Sequence, residues 1–515
     1  MPDKIIVTNE SALRTKYKAS GLAAIRKAVN ALIAADKKRE LHSVYLPLDS
    51  APAMKKAGGK AVADPASPKQ NKDAVDVICK KYAPDYLMIL GAADVVPHQD
   101  LKNPVFSPGD DDDKIAWGDI PYACEAPYST KPENFVGPTR VLGRLPDLAG
   151  GADPAYLTGL LATAANYTQR KPSDYAAYFG VTAAVWQKST AMSLEKLFGS
   201  GTNLQIVPPK TANWPSPVLS RLSHFINCHG APSDFHFFGQ KTKNDFPESL
   251  DASRLPGKIS EGTVVAAECC YGAELYDPVA TAGQAGICST YLKEKAYGFF
   301  GSTTIAYGPA EGNDLADLIC QFFLKRVVGG ASLGRAALEA RQQFVQESGQ
   351  MDPTELKTLA QFNLLGDPSL TPVVAPAPHF AMAAAGGIER GARRRGLMDR
   401  GMWLAANSPT VQTTVKTQAG PALLKELMKM ASQAGMSAPK TFGFAMRQPA
   451  SQRKSLTRAM IYKSPVPDSC HVVIGRIGGK DARVQTVKVL VANVSGGKCT
   501  SVREFFGKRA PDHRG

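Results

Sequence analysis

The sequence contains no run of about 18 apolar residues, so no segment has the composition of a membrane-spanning helix. Residues 1–10 hold only a short apolar stretch and an early acidic residue, a pattern that does not match a secretory signal. There is also no phosphate-binding glycine loop and no internal repeat. These absences predict a cytoplasmic protein without a membrane partner.

Cysteine is sparse and shows no regular spacing. There are nine cysteines, an odd number, and no pair has the Cys-x-x-Cys spacing of zinc ligands. A dense disulfide framework is therefore excluded, and we expect reduced thiols in an intracellular compartment. The sequence predicts no required metal or cofactor.

Acidic residues become scarce only late in the chain. The 515 residues include 61 Lys and Arg against 46 Asp and Glu, a net charge of +15. From residue 381 onward there are 23 basic against 7 acidic residues, a net of +16, so the preceding part is nearly neutral. This division predicts a separate basic module that binds nucleic acid or another acidic partner.

Apolar runs alternate with helical patterns over most of the chain, which predicts an α/β fold with a parallel sheet. We expect a helix over 11–36, a loop over 50–71 and a strand over 86–91. The predicted units are an N-terminal α/β subdomain (1–145), a larger parallel-sheet subdomain (146–373), a linker rich in Pro and Ala and then Arg (374–400), and a small basic α+β module (401–515).

Two short apolar runs end in residues that suit catalysis. One leads into Cys228-His229-Gly230, and the other leads into Glu268-Cys269-Cys270-Tyr271-Gly272. If both are neighbouring parallel strands, their carboxyl ends line one crevice and bring His229 to Cys270.

An imidazole beside a thiol takes its proton or stabilises the thiolate. We expect Gly230 and Gly272 to allow sharp turns, and the N–H groups of Gly230 and Cys270 to bind an oxyanion. The alternative is that the cysteines are core residues and His229 belongs to a turn, since buried cysteine is common.

The order and spacing of these motifs resemble the caspase-like clan of cysteine peptidases. In that clan one strand ends in His-Gly, and a later strand ends in an acidic or amide residue, a small residue, Cys and soon Gly. The resemblance implies that Cys270 is the nucleophile, with Cys269 at the small-residue position.

Further motifs resemble the gingipain-type peptidases, family C25, over roughly residues 1–373. Leu-Gly-Asp-Pro-Ser-Leu at 365–370 is the most specific of them. The others are Tyr86–Gly91, Asp119–Tyr122, Gly143-Arg144 and Phe299–Thr303.

The resemblance leaves two parts of the site open. It implies an acidic third member after Gly143-Arg144, where Asp147 is the candidate although it lies one position away from the aligned place. For the substrate pocket, Glu274 and Asp277 are the candidates, and the residue preferred before the scissile bond is not readable. The four aspartates at 110–113 predict a solvated loop, with calcium binding as the alternative.

These observations predict an intracellular cysteine endopeptidase that uses Cys270 and His229, forms a thioester acyl-enzyme and is regulated by its basic module. The alternative is a catalytically weak or inactive caspase-fold scaffold whose module binds nucleic acid or an acidic partner.

Overall fold

The computed structural model describes residues 1–242, 245–374, 388–447, 466–477 and 486–509, without the side chains of 388–392. Within these ranges, every helix is too short or too polar to cross a lipid bilayer. The strands are β1 (Lys4–Thr8), β2 (Ser43–Pro47), β3 (Tyr86–Leu90), β4 (Gln99–Lys102), β5 (Ile115–Gly118), β6 (Leu142–Leu145), β7 (Tyr178–Ala183), β8 (Gln205–Val207), β9 (Ser223–Asn227), β10 (His229–Gly230), β11 (His236–Phe238), β12 (Glu248–Asp251), β13 (Val264–Ala267), β14 (Gly298–Ser302), β15 (Tyr307–Gly308), β16 (Phe362–Leu365), β17 (Thr410–Thr417), β18 (Met436–Arg447), β19 (Ser469–Ile477), β20 (Thr486–Ser495) and β21 (Lys498–Gly507).

Helices cover both faces of the main sheet. They are α1 (Glu10–Lys38), α2 (Ala51–Ala57), α3 (Pro68–Tyr82), α4 (Ala155–Asn166), α5 (Pro172–Ala176), α6 (Gln187–Phe198), α7 (Ser216–Leu219), α8 (Ile287–Lys293), α9 (Ala316–Val328), α10 (Leu333–Ser348), α11 (Pro353–Gln361), α12 (Ile388–Asn407) and α13 (Pro421–Gln433).

A ten-stranded sheet forms the centre of the molecule, in the order β2-β1-β3-β6-β16-β14-β13-β9-β7-β8. Its strands are parallel within the first five and within the last five, and the two halves meet at the antiparallel pair β16–β14. Strands β1, β3 and β13 are buried along their whole length, as expected for a sheet covered on both faces. This confirms the predicted α/β class with a mainly parallel sheet.

The sheet is continuous across the predicted boundary at residue 145. Strand β16 lies late in the sequence, yet it pairs with β6 and belongs to the half-sheet that contains β1 and β3. The division into 1–145 and 146–373 therefore stays a prediction about domains, while the two parts share one core.

The basic region after residue 400 folds as an antiparallel sheet with α13 packed against it. The sheet order is β15-β21-β20-β19-β18-β17, so its edge strand β15 comes from the part of the chain that follows Cys270. The module is thus joined to the large sheet region by main-chain hydrogen bonds between β21 and β15.

Local expectations are partly confirmed. The helix predicted over 11–36 is α1, and the strand over 86–91 is β3. The predicted loop over 50–71 is wrong in its first part, because α2 begins after Ser50, whose side chain accepts a hydrogen bond from the Ala53 amide. The second half of the predicted linker 374–400 is helical, since α12 begins at Ile388.

Candidate active site

His229 and Cys270 follow the carboxyl ends of two neighbouring parallel strands. Strands β9 and β13 pair in parallel with Ile226 opposite Ala267. Beyond these strands the main chains of Gly230 and Cys270 lie close together: a Cβ atom on Gly230 would overlap the carbonyl oxygen of Cys270. The structure therefore brings the two predicted motifs together at one edge of the sheet.

The sharp turn after the thiol is made by Tyr271, which has a φ of 56°. Gly272 lies in this turn, as expected, but neither Gly230 nor Gly272 has a positive φ. Gly230 is needed for a different reason: a side chain there has no space beside Cys270.

The Cys270 thiol is completely buried. Its Sγ lies 3.2 Å from the amide nitrogen of Ala306 and 3.5 Å from the carbonyl oxygen of the same residue. Burial raises the pKa of Cys270, because a thiolate is poorly solvated there, while the hydrogen bonds with Ala306 oppose the increase. In this state the group is a neutral thiol.

The His229 ring is also completely buried, between the rings of Trp186 at 4.4 Å and Phe246 at 5.0 Å. Its Nε2 lies 3.0 Å from Oε1 of Gln240, whereas Nδ1 has no hydrogen-bond partner of normal geometry within the described residues. Burial lowers the pKa of His229 to about 4; the bond with Gln240 opposes this change and the ammonium of Lys508 adds to it. The imidazole is therefore neutral at pH 7, the form in which it accepts a proton.

Asp147, the predicted third member, does not contact His229. Its carboxylate accepts hydrogen bonds from the Tyr17 hydroxyl at 2.5 Å and the Ala92 amide at 2.6 Å, and it pairs with Lys16 at 2.7 Å. This position is explained by the sheet, because Asp147 follows β6 in the other half-sheet.

Gln240, rather than Asp147, makes the contact with His229 that was expected of the third catalytic residue. It lies in the loop after β11, and the sequence did not indicate it because a glutamine in a loop forms no catalytic pattern. One feature of the sequence agrees with this contact: Gln240 lies only 11 positions after His229.

A segment near the end of the described chain lies against the two motifs. We name residues 506–509 the docked segment. The amide of Gly230 donates a hydrogen bond of 3.0 Å to the carbonyl oxygen of Lys508, and the amide of Lys508 donates one of 2.9 Å to the carbonyl oxygen of Ala306. Residues Phe506 and Gly507 continue the contact by pairing with β15.

The Lys508 side chain enters a completely buried polar pocket. Its Nζ forms an ion pair with Glu268, lies 2.8 Å from Oδ1 of Asn227 and is 3.6 Å from Oδ1 of Asp317. The ammonium also lies 5.2 Å from the centre of the Trp186 ring, which it approaches as a cation over an aromatic face.

Electrostatics explain why a lysine is tolerated in this pocket. Burial alone lowers the pKa of Lys508, but the carboxylates of Asp317 and Glu268 outweigh burial and raise it. The pKa of Glu268 is itself raised, first by burial and then by Asp317. Glu268 and Asp317 together therefore stabilise one positive charge in the pocket, that of the Lys508 ammonium group.

The predicted pocket residues lie elsewhere. Glu274 accepts a hydrogen bond from the Ser233 amide at 2.6 Å, and Asp277 caps the one-turn helix that follows it. The acids that face the docked lysine are Glu268 and Asp317. Glu268 stood in the motif before the cysteines, whereas nothing in the sequence pointed to Asp317.

The four aspartates at 110–113 are not a freely solvated loop, so that expectation is wrong. Asp111 is buried and accepts a 2.8 Å hydrogen bond from the Tyr307 hydroxyl. Asp113 accepts one of 2.9 Å from the hydroxyl of Tyr271, the residue after the thiol. These carboxylates support the strand ends of the site, and calcium binding at this loop stays a prediction.

Comparisons with known proteins show similarity over part of the chain. Residues 222–373, which include both His229 and Cys270, match the model of "Peptidase family C25". No curated protein matches the sequence. One solved structure, described as "Structure of Protease", aligns with 12% identity and a TM-score of 0.47 over 97% of this chain and 96% of that chain. Residues 222–373 of this protein are thus similar to peptidase family C25, a family of cysteine peptidases.

Proposed function

We propose that the protein is an endopeptidase in which Cys270 is the nucleophile and His229 transfers protons. One observation carries the proposal. The Gly230 amide, adjoining His229, already donates a hydrogen bond to a peptide carbonyl beside the main chain of Cys270. An N–H group in that place stabilises the negative oxygen that forms when a thiol attacks the carbonyl carbon.

The reaction follows from these positions. Sγ of Cys270 forms a bond to the carbonyl carbon, and its proton passes to His229, which is neutral in its buried setting. The peptide C–N bond then breaks, and His229 gives the proton to the leaving amine. Water attacks the resulting thioester, releases the acid product and restores the thiol.

Gln240 orients the catalytic imidazole in this proposal. Its Oε1 accepts the Nε2 proton of His229, which leaves the lone pair of Nδ1 for proton transfer. An amide that fixes the imidazole tautomer serves the same purpose as the acid in other cysteine or serine sites.

The basic module regulates the peptidase by binding its own catalytic region. Arg503 on β21 pairs with Asp352, with Glu355 at 2.8 Å and with Asp314 at 3.2 Å. Lys440 on β18 pairs with Asp110 at 3.1 Å. These contacts favour an internal acidic partner.

A nucleic-acid partner stays a prediction that no contact favours. Four of the residues behind that prediction lie outside the described residues: Arg453, Lys454, Arg458 and Lys463. The nine cysteines are free thiols, which is compatible with the proposed intracellular setting, although the compartment also stays a prediction.

Turnover of a fluorogenic peptide library tests the proposed function. We expect the full-length protein, once the docked segment is displaced by mutation, to cleave peptides, and Cys270→Ala and His229→Ala in the same background to lose this activity. Folded variants that retain cleavage after loss of Cys270 would contradict the proposal.

A further inference from the structure

The docked segment adopts the main-chain arrangement of a peptide bound for hydrolysis. Residues 506–507 extend the sheet by antiparallel pairing with β15, which is a common way for a groove to hold an extended peptide. The carbonyl of Lys508 then meets the Gly230 amide, and its own amide meets Ala306. Ala306 also donates its N–H to the Cys270 thiol.

The side chain of Lys508 points into a pocket whose depth matches the length of a lysine and whose inner end is acidic. Gly308 forms one wall, and a Cβ there would lie 2.6 Å from the Cε of Lys508. At the end of the pocket the ammonium reaches Glu268 and Asn227, with Asp317 beyond them. Glu268 lies two residues before the thiol, so the pocket adjoins the proposed nucleophile.

We infer that the docked segment is an internal occupant of the substrate groove, with Lys508 in the pocket that receives the side chain before the scissile bond. The inference rests on the proposed function, because it locates the groove by Cys270 and His229. It deepens that function in two ways. The peptidase selects lysine at this position, and the described state is latent because its own chain covers the thiol.

Burial of the catalytic pair agrees with an occupied groove. Cys270, His229 and Lys508 have no exposed surface, so an external peptide has no path to the thiol while the segment is in place. The segment is held from outside the groove as well, through β21 and the ion pairs of Arg503. Weakening of that anchor is a route to activation.

A substitution in the full-length chain tests the inference. Lys508→Met keeps most of the side-chain volume but removes the charge, whereas Lys498→Met removes an exposed lysine from β21, the strand that leads to Lys508. A tethered ligand acts at about millimolar effective concentration, so we expect Lys508→Met to raise cleavage of lysyl peptides at least ~10-fold. Lys498→Met is expected to match the unmodified protein. Equal rates for all three folded proteins would overturn the inference.

A binding measurement separates this inference from the proposed function. A peptide of residues 505–509 (Phe-Phe-Gly-Lys-Arg) and its analogue with Leu in place of Lys are titrated into the Cys270→Ala/Lys508→Met protein. The acidic pocket predicts that the lysyl peptide binds at least ~10-fold more tightly. Equal affinities overturn the inference even if the enzyme is active. Selective binding without cleavage by any variant supports the inference and contradicts the proposed function.

If Lys508→Met does not fold, hydrogen exchange of the unmodified protein provides the readout. Excess lysyl peptide is expected to accelerate exchange of the Lys508 amide, because it competes with the segment for Ala306. Unchanged exchange at saturating peptide would overturn the inference.

Discussion

The amide of Gly230 donates a 3.0 Å hydrogen bond to the carbonyl oxygen of Lys508, so the residue after His229 contacts the docked segment directly. The Gly230 N–H group, beside His229, is placed to stabilise an oxyanion. In the described state the carbonyl group of Lys508 occupies that oxyanion position. The catalytic proposal and the inference of latency therefore depend on the same pair of residues.

The two adjacent cysteines are expected to differ sharply on mutation. In the Lys508→Met background, Cys270→Ala should lower kcat/KM at least ~10³-fold, since it removes the nucleophile. Cys269→Ala should keep most of the activity, because Sγ of Cys269 faces Ile226 on the other strand, at 4.0 Å from its carbonyl oxygen. Cleavage rates of the two variants decide the assignment, and loss of activity only in Cys269→Ala would reverse it.

Gln240 should behave as a positioning residue. Gln240→Leu removes the acceptor for Nε2 of His229 and is expected to lower kcat about 10–100-fold, with little effect on KM. Gln240→Glu restores an acceptor and adds a negative charge, so it should recover activity and move the acid limb of the pH profile upward. A Gln240→Leu enzyme with unchanged kcat and pH profile would remove Gln240 from the mechanism.

The titration of His229 should report whether the groove is occupied. Burial and the Lys508 ammonium lower the pKa of His229, so NMR should show a midpoint near 4 in the unmodified protein. Because this value lies below the unfolded one, His229 destabilises the fold progressively as the pH falls from ~6.5 towards 4. Lys508→Met should raise the midpoint, and an identical midpoint in both proteins would argue against the contact.

Glu355 should make the free energy of unfolding decrease as the pH becomes alkaline. Burial raises its pKa to about 8, with Arg503 opposing the increase. The folded state therefore keeps a proton that the unfolded state has lost, and the resulting stability declines as the pH rises from ~4.5 through 8. Thermal melts should show this decline, and Glu355→Gln should reduce it. A Glu355→Gln protein with the same pH slope as the unmodified one would contradict the assignment.

The sequence was sufficient to predict the positions of His229 and Cys270, because both depend on local patterns. Each residue follows a short apolar run, and parallel strands place such ends at one edge. The start of helix α11 is also visible in the sequence, since Asp352 and Glu355 form a capping box.

The missing parts of the site depend on contacts between distant residues. Lys508 and Glu268 are 240 positions apart, and the pairing of β21 with β15 helps to bring them together. The place of Asp147 after Gly143-Arg144 suggests a partner for the histidine, yet Asp147 follows β6 in the other half-sheet and pairs with Lys16 on α1. Sequence spacing carries no information on either contact.

A lysine-directed electrophile shows whether Cys270 is the nucleophile beside the lysine pocket. A peptidyl lysine chloromethyl ketone is incubated with full-length Lys508→Met protein, and peptide mass spectrometry locates the adduct among the nine cysteines. We expect a single adduct on Cys270, formed faster than in the unmodified protein and abolished by His229→Ala. An adduct on another cysteine, or none on Cys270 in a folded protein, would contradict it.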